Sequence, residues 1–284
     1  MNYTATGIAG AVNELASLPD IALRISDLLD DENSSAWDIG VLIEQDPGLS
    51  AALLRIANSA LYNQGVPITA IDRAVTVVGA GEVRDLSFGV CTSIALQNIP
   101  RGIVSIEEFW HQSLACAAAS KSIGKALSIT CKDSLFMAGL LHNIGQLVMV
   151  NQCPDEMQEA LAASTTRAKT ASSHLDEQAI FGFDHGEVGA VLMAQWGLPV
   201  YLQHAARYHH EPHRAEPHAR TVVDIVHVAD AIGRSTISGG NIDDYMQTVD
   251  PEALARTRLL DSELPIIVEE TKETVSQLIS VFAH

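Results

Sequence analysis

Ten of the eleven histidines fall between residues 111 and 227, at 111, 142, 174, 185, 204, 209, 210, 213, 218 and 227. Imidazole is a general acid or base near neutral pH and the commonest metal ligand. Glu107 and His111 are four apart, so a helix over that stretch puts both on one face. The doublet His142-Asn143 interrupts the apolar run Ala138–Leu147, and His185 opens a helical stretch after Phe183-Asp184. His209-His210 close another helix just before Pro212, and Asp230 sits inside the apolar Val226–Ala231. Taken singly, each is more often a hydrogen-bonded structural group than a ligand. Together they supply imidazoles and carboxylates from five separate helices, which is how a helical bundle builds a metal site in its core. His213 and His218, in the polar stretch EPHRAEPHAR, read as surface groups.

The elements that must position these groups are helical. Ile39, Leu42, Ile43 and then Leu49, Leu53, Leu54, Ile56 follow the i, i+3, i+4 rhythm, and no alternating strand pattern of useful length occurs. Asp46-Pro47 is a cap followed by a first-turn proline. Ser35/Asp38, Thr69/Asp72, Ser105/Glu108 and Ser173/Asp176 have capping-box spacing. The expected fold is all-α, in three parts. An N-terminal helical layer spans 8–102, the histidine-bearing bundle 103–236 and a C-terminal helical tail 237–284. The tail opens on Gly239-Gly240 and carries an amphipathic helix near Ile266–Phe282, expected to dock on the body.

The chain of 284 residues is 47% apolar and 18% charged, enough to fill a large core. Its net charge of −18 argues against a nucleic-acid surface, because 17 basic residues are scattered among 35 acids. Aromatics at 5% are too few for base-stacking platforms. Cys91, Cys116, Cys131 and Cys153 form no C-x-x-C pair and read as small core hydrophobes in a reducing, cytoplasmic setting. The N-terminal residues lack the basic and apolar regions of a signal peptide, and the stretch Ser134–Met157 is too polar to span a membrane.

At this point the residues carry a resemblance. Leu140-Leu141-His142-Asn143-Ile144-Gly145 is similar to the His-Asp doublet segment of the HD phosphohydrolase superfamily. Residues 18–236 resemble the HDOD family, the HD-related output domain of bacterial signalling proteins. The supporting segments run in order: Leu18-Pro19, Asp46-Pro47-Gly48-Leu49, Leu54–Ser59, Ile71–Ala74 with Val78-Gly79, Phe109–Ser113, Asp184–Ala190, Trp196–Pro199 and His209-His210. The resemblance implies an N-terminal helical layer packed on an HD-like bundle. It also implies that Glu107, His111, His142, Asn143, His185, His209, His210 and Asp230 stand at the metal-site positions of active HD enzymes.

Three departures bear on activity. A two-metal hydrolase needs an anionic bridge between its cations, and where the family has the Asp of the doublet this chain has the neutral Asn143. Gln146 stands where active members carry Lys, and the Gly-Tyr-Pro segment of cyclic-di-GMP phosphodiesterases is missing after His210. The expectation is therefore a non-catalytic signal-transduction module acting through signalling proteins or by ligand sensing. No cofactor is expected, and the histidines are expected to satisfy one another and backbone carbonyls as a polar core, with a single divalent Fe, Mn or Zn as the alternative. The competing functions are a metal-dependent phosphohydrolase acting on a nucleotide or cyclic dinucleotide, and a nucleotide receptor without catalysis. In the first layer, Arg55 and Arg73 near Asn58-Ser59 suggest structural pairing ahead of a small-anion site.

Overall fold

The computed structural model describes residues 3–13, 20–31, 33–62, 65–95, 102–129, 135–167 and 172–282. Leu18-Pro19, Cys131 and the expected boundary at 98–101 lie outside them. Among the described residues every regular element is a helix and none is a strand. In chain order they are α1 (Ala5–Asn13), α2 (Asp20–Asp30), α3 (Ala36–Ile43), α4 (Pro47–Ala57), α5 (Ile71–Val78) and α6 (Ala80–Ala95). Then follow α7 (Ile106–Ala126), α8 (Leu135–Leu141), α9 (Ile144–Gln152), α10 (Pro154–Arg167), α11 (His174–Phe181) and α12 (His185–Gln195). The last are α13 (Val200–Tyr208), α14 (Arg220–Ser238), α15 (Ile242–Met246), α16 (Pro251–Thr257) and α17 (Leu264–Phe282).

Several starts are dictated locally. Ser35 and Asp38 form a reciprocal capping box on α3, Asp46 caps α4 ahead of Pro47, and Ser105 accepts from the Glu108 amide on α7. Two of the expected caps are absent. Ala70, not Thr69, precedes α5 and offers no side-chain cap, and the Ser173 hydroxyl turns to Glu177 instead of capping α11.

α7 is the central rod. α8, α14 and α17 all pack on it, and its run Leu114–Ser120 is buried. The small side chains of that run let two partners come close. A Cβ on Gly139 of α8 would meet the Cys116 carbonyl at 2.7 Å, and one on Gly233 of α14 would meet the Cys116 amide at 2.9 Å. Both close contacts fall at one level of α7, and His142 and Asp230 lie one turn away from them. α12 packs on α9 and α13, completing the bundle that carries the histidines.

α2 to α6 form the N-terminal layer, joined to the bundle through α6 on α8. α1 lies instead against α9 and α12, so the layer begins at α2 in space although the chain enters it earlier. Asn58 closes the α4–α5 loop: its amide donates to Leu54 O and Ile68 O, and its Oδ1 accepts from Ile68 N. Among the described residues these backbone groups, and not Arg55 or Arg73, hold it. α17 docks across α7, α4 and α6, with Phe282 buried against Trp110 and Glu270 held by Lys125 and Ser122. One apolar core runs from Ala5 to Phe282. Cys91, Cys116 and Cys153 are free and buried in it. No helix among the described residues is long and apolar enough to cross a membrane.

Candidate metal centre

His142 and Asn143 form the turn between α8 and α9, and His142 is completely buried. Its Nδ1 lies 2.7 Å from Gly139 O, the carbonyl one turn back, so Nδ1 is the donor and Nε2 faces inward toward Asp230. His209, at the end of α13, repeats the arrangement, with Nδ1 2.7 Å from Ala206 O. A helix end leaves carbonyls without intrahelical partners, and here two histidine rings fill that role while fixing their own tautomers. The two rings meet edge to face, with centroids 4.9 Å apart.

His185 is the first residue of α12, whose start is capped by Asp184. Its Nδ1 lies 2.6 Å from Glu177 Oε2, and the same oxygen accepts from the His185 amide at 2.8 Å. Ser173 donates to the other oxygen of Glu177 at 2.6 Å. Burial opposes a charge on Glu177, yet His185 and these donors pull its pKa down to about 2. On the imidazole, burial opposes the proton and Glu177 favours it, with a net upward shift. This carboxylate–histidine pair is the usual support of a metal-ligating imidazole. His210 Nε2 lies 3.0 Å from His185 Nε2, so one proton sits between the two rings. His210 also approaches Ser172 at 3.2 Å and stacks on His174. Burial, reinforced by neighbouring histidines, pushes both His209 and His210 far down, leaving neutral rings.

Asp230 reaches the cluster from α14, its Oδ1 3.4 Å from His142 Nε2 and its Oδ2 2.9 Å from Arg234 Nε. Burial would raise its pKa, but the Arg234 charge holds it far below the carboxylate range. One ligand atom each from His185, His209 and His210 falls within 4.8 Å of the others. Four buried atoms around this point have no hydrogen-bond partner: His142 Nε2, His209 Nε2, Asp230 Oδ1 and Asn143 Oδ1. Leaving such groups unsatisfied is costly, and with His142 neutral all four are electron-pair donors, which suits a cation.

The cluster faces a cleft of about 330 Å³. Asn143, His185, His210, Asp230 and Arg234 stand on its wall with the hydroxyls and amides of Ser105, Gln112, Gln146, Ser164, Thr165 and Ser172. Of the residues singled out by sequence, His142, Asn143, His185, His209, His210 and Asp230 are brought together. Glu107 and His111 are not. Glu107 is exposed and His111 half-buried, and the α7 residues on the cleft are Glu108, Phe109 and Gln112. The Ser105 cap and the buried Trp110–Ser113–Ala117 face fix the rotation of α7 and turn 107 and 111 aside.

Sequence reading missed Glu177 and Arg234. Arg234 had a signal, its i, i+4 spacing from Asp230. Glu177 had none, because its partner lies across the Gly182 turn. Asp224, the other buried acid of α14, is held by both oxygens to Arg256, at 2.7 and 2.8 Å. Gln146 donates to Ser173 at 3.2 Å.

The profile of the HDOD domain matches residues 15–212. The chain belongs to the HDOD family. An HDOD domain protein of unknown function from Geobacter sulfurreducens has the same fold, with a TM-score of 0.73 at 23% identity over 95% of this chain and 97% of that one. A Shewanella amazonensis SB2B protein bearing a provisional phosphohydrolase name matches at a TM-score of 0.72 and 25% identity, again over 95% and 97%. An uncharacterized Treponema pallidum (strain Nichols) protein is 27% identical over 215 residues, 75% of this chain. The chain spans 41% of that protein's length. The HDOD match holds the four clustered histidines and ends before Asp230 and Arg234.

Proposed function

We propose that this HDOD chain is a non-catalytic signal-transduction module whose histidine cluster takes one divalent metal ion, Fe, Mn or Zn. The observation that carries the reading is the set of four buried side-chain atoms without hydrogen-bond partners, three of them on ligand types and the fourth on Asn143. His185, His209 and His210, whose ligand atoms lie within 4.8 Å of one another, would hold the ion together with Asp230 and His142 at the edge of the cluster. A bound ion would supply a Lewis-acid position open to the cleft. Features of the ion-free polar core are also present, since His142 and His209 each bond a backbone carbonyl and His185 bonds Glu177 and His210.

Charge limits the site to one ion. Asp230 is already neutralised by Arg234, Glu177 is engaged with His185, and Asn143 brings no charge. Two cations about 3.5–4 Å apart lack the anionic bridge they need, and without it a two-metal displacement loses its main stabilisation. The module then works through contacts with signalling proteins. Its charge of −18 opposes nucleic acid and membrane phosphates.

The phosphohydrolase name of the Shewanella protein makes hydrolysis the competing reading. Purified chain is incubated with Zn(II), Mn(II) or anaerobic Fe(II), its metal content measured, and turnover followed with bis-p-nitrophenyl phosphate and cyclic dinucleotides. One ion per chain with no turnover is expected. Turnover that disappears in His142→Ala would overturn the non-catalytic reading. A thermal shift with a cyclic dinucleotide would instead point to a nucleotide receptor.

A further inference from the structure

Two side chains on one face of α14 join the histidine cluster to the segment between α15 and α16. His227 Nδ1 lies 2.6 Å from the backbone carbonyl of His209 and so donates to it. On its other edge, His227 Nε2 accepts the Asp250 amide at 2.8 Å. Seven residues on, which is two helical turns, Arg234 does the same with different chemistry. Its Nε meets Asp230 at 2.9 Å, its other end reaches Thr248 Oγ1 at 3.5 Å, and its guanidinium lies 5.8 Å from the Tyr245 ring centre. Each side chain therefore touches a group of the cluster at one end and the 245–250 segment at the other.

The receiving segment is short. Tyr245 is buried and its hydroxyl donates to Ser238, while Asp250 caps α16 through the Glu252 and Ala253 amides. Arg256 of α16 grips Asp224, also on α14. The segment thus rests on the same helix that carries Asp230. All of it lies beyond the residues matched by the HDOD profile.

We propose that the Tyr245–Asp250 segment reports the state of the metal centre, with His227 and Arg234 as the two positioning residues that couple them. This rests on the reading of the cluster as a metal site. When a cation draws on His209 and Asp230, the His209 corner is fixed and Arg234 must share Asp230 with the ion. Both changes act directly on the far ends of the two side chains. By linkage, docking of the segment and metal binding favour each other by the same factor.

The test is hydrogen exchange by mass spectrometry on the full chain, with and without one equivalent of Zn(II), beside calorimetry of Zn(II) binding. In the wild type, Zn(II) is expected to slow exchange in peptides covering 242–257 by about tenfold, well beyond any change in 36–57 of the N-terminal layer. In Arg234→Gln and in His227→Phe that differential is expected to shrink while calorimetry still records Zn(II) binding. Zn(II) binding with unchanged exchange at 242–257, or with equal slowing in both regions, overturns the coupling and leaves the metal centre standing. No Zn(II) binding by the wild type removes the metal reading and this inference with it.

Discussion

Asn143 decides how much charge the centre can accept. Its Oδ1 is buried without a partner beside the ligand set, where a carboxylate would bind a cation far better than a carboxamide. Asn143→Asp is expected to raise metal content above one ion per chain and to lower the stability of the metal-free protein, since it adds a buried charge near Asp230. Elemental analysis and thermal melts measure both; unchanged metal content would mean that the donors are not arranged as a site. Glu177 acts one step further out, through the His185 ring. Glu177→Gln keeps the shape but removes the charge, and metal affinity is expected to fall by about 10–100-fold, read by competition with a chromophoric chelator. His142 and Asp230 stood out in the sequence because each interrupts an apolar helical run, and His185, His209 and His210 because they stand at helix ends. Glu177 was not, because a carboxylate in a short helix looks like any solvated acid until the Gly182 turn folds it onto His185. The spacing of Glu107 and His111 was read correctly as one helical face, but nothing local says which way that face points.

At the scale of elements, the centre depends on how closely helices approach. α9 begins at Ile144, right after Asn143, and α12 begins at His185, so their crossing sets the distance between the two ligand corners. Gly145 sits at that crossing. A Cβ there would stand 2.0 Å from the His185 carbonyl and 2.5 Å from the Gly189 amide, both backbone atoms that cannot rotate away. Gly145→Ala is expected to cost about 3 kcal/mol or more by urea unfolding and to weaken metal binding together with stability. Helix existence was legible from periodicity, and the caps at Ser35, Asp46 and Ser105 were legible from spacing. Ser173 fitted the same spacing, but its backbone is helical (φ −75°, ψ −12°) instead of extended as at a capping residue, and its hydroxyl donates to Glu177. The position of α1 against α9 and α12 was hidden for another reason: amphipathic spacing shows that a helix buries a face, not which partner covers it.

For the whole molecule, the centre is a clasp. Its donors come from the α8–α9 turn, α12, α13 and α14, so an ion bound there ties together four parts of a single continuous core. An ion that binds only the folded chain stabilises it by an amount set by its concentration relative to its dissociation constant, about 2.7 kcal/mol at a hundredfold excess. For a chain of this length that corresponds to a rise in Tm of about 5 °C. The charge of −18 complicates the reading, because an anionic surface gathers divalent ions without any site. Two controls separate the effects. Mg(II), a hard ion that prefers oxygen ligands and keeps its waters, is gathered by the same field but does not suit a set of imidazoles. Salt screens the surface effect and leaves coordination nearly untouched. The expectation is a Tm rise of about 5 °C with Zn(II) that survives 0.5 M NaCl, is reversed by EDTA, is absent with Mg(II), and is lost in His209→Ala. An equal rise with Mg(II) that salt abolishes would mean that the surface, not the histidine cluster, binds the ion.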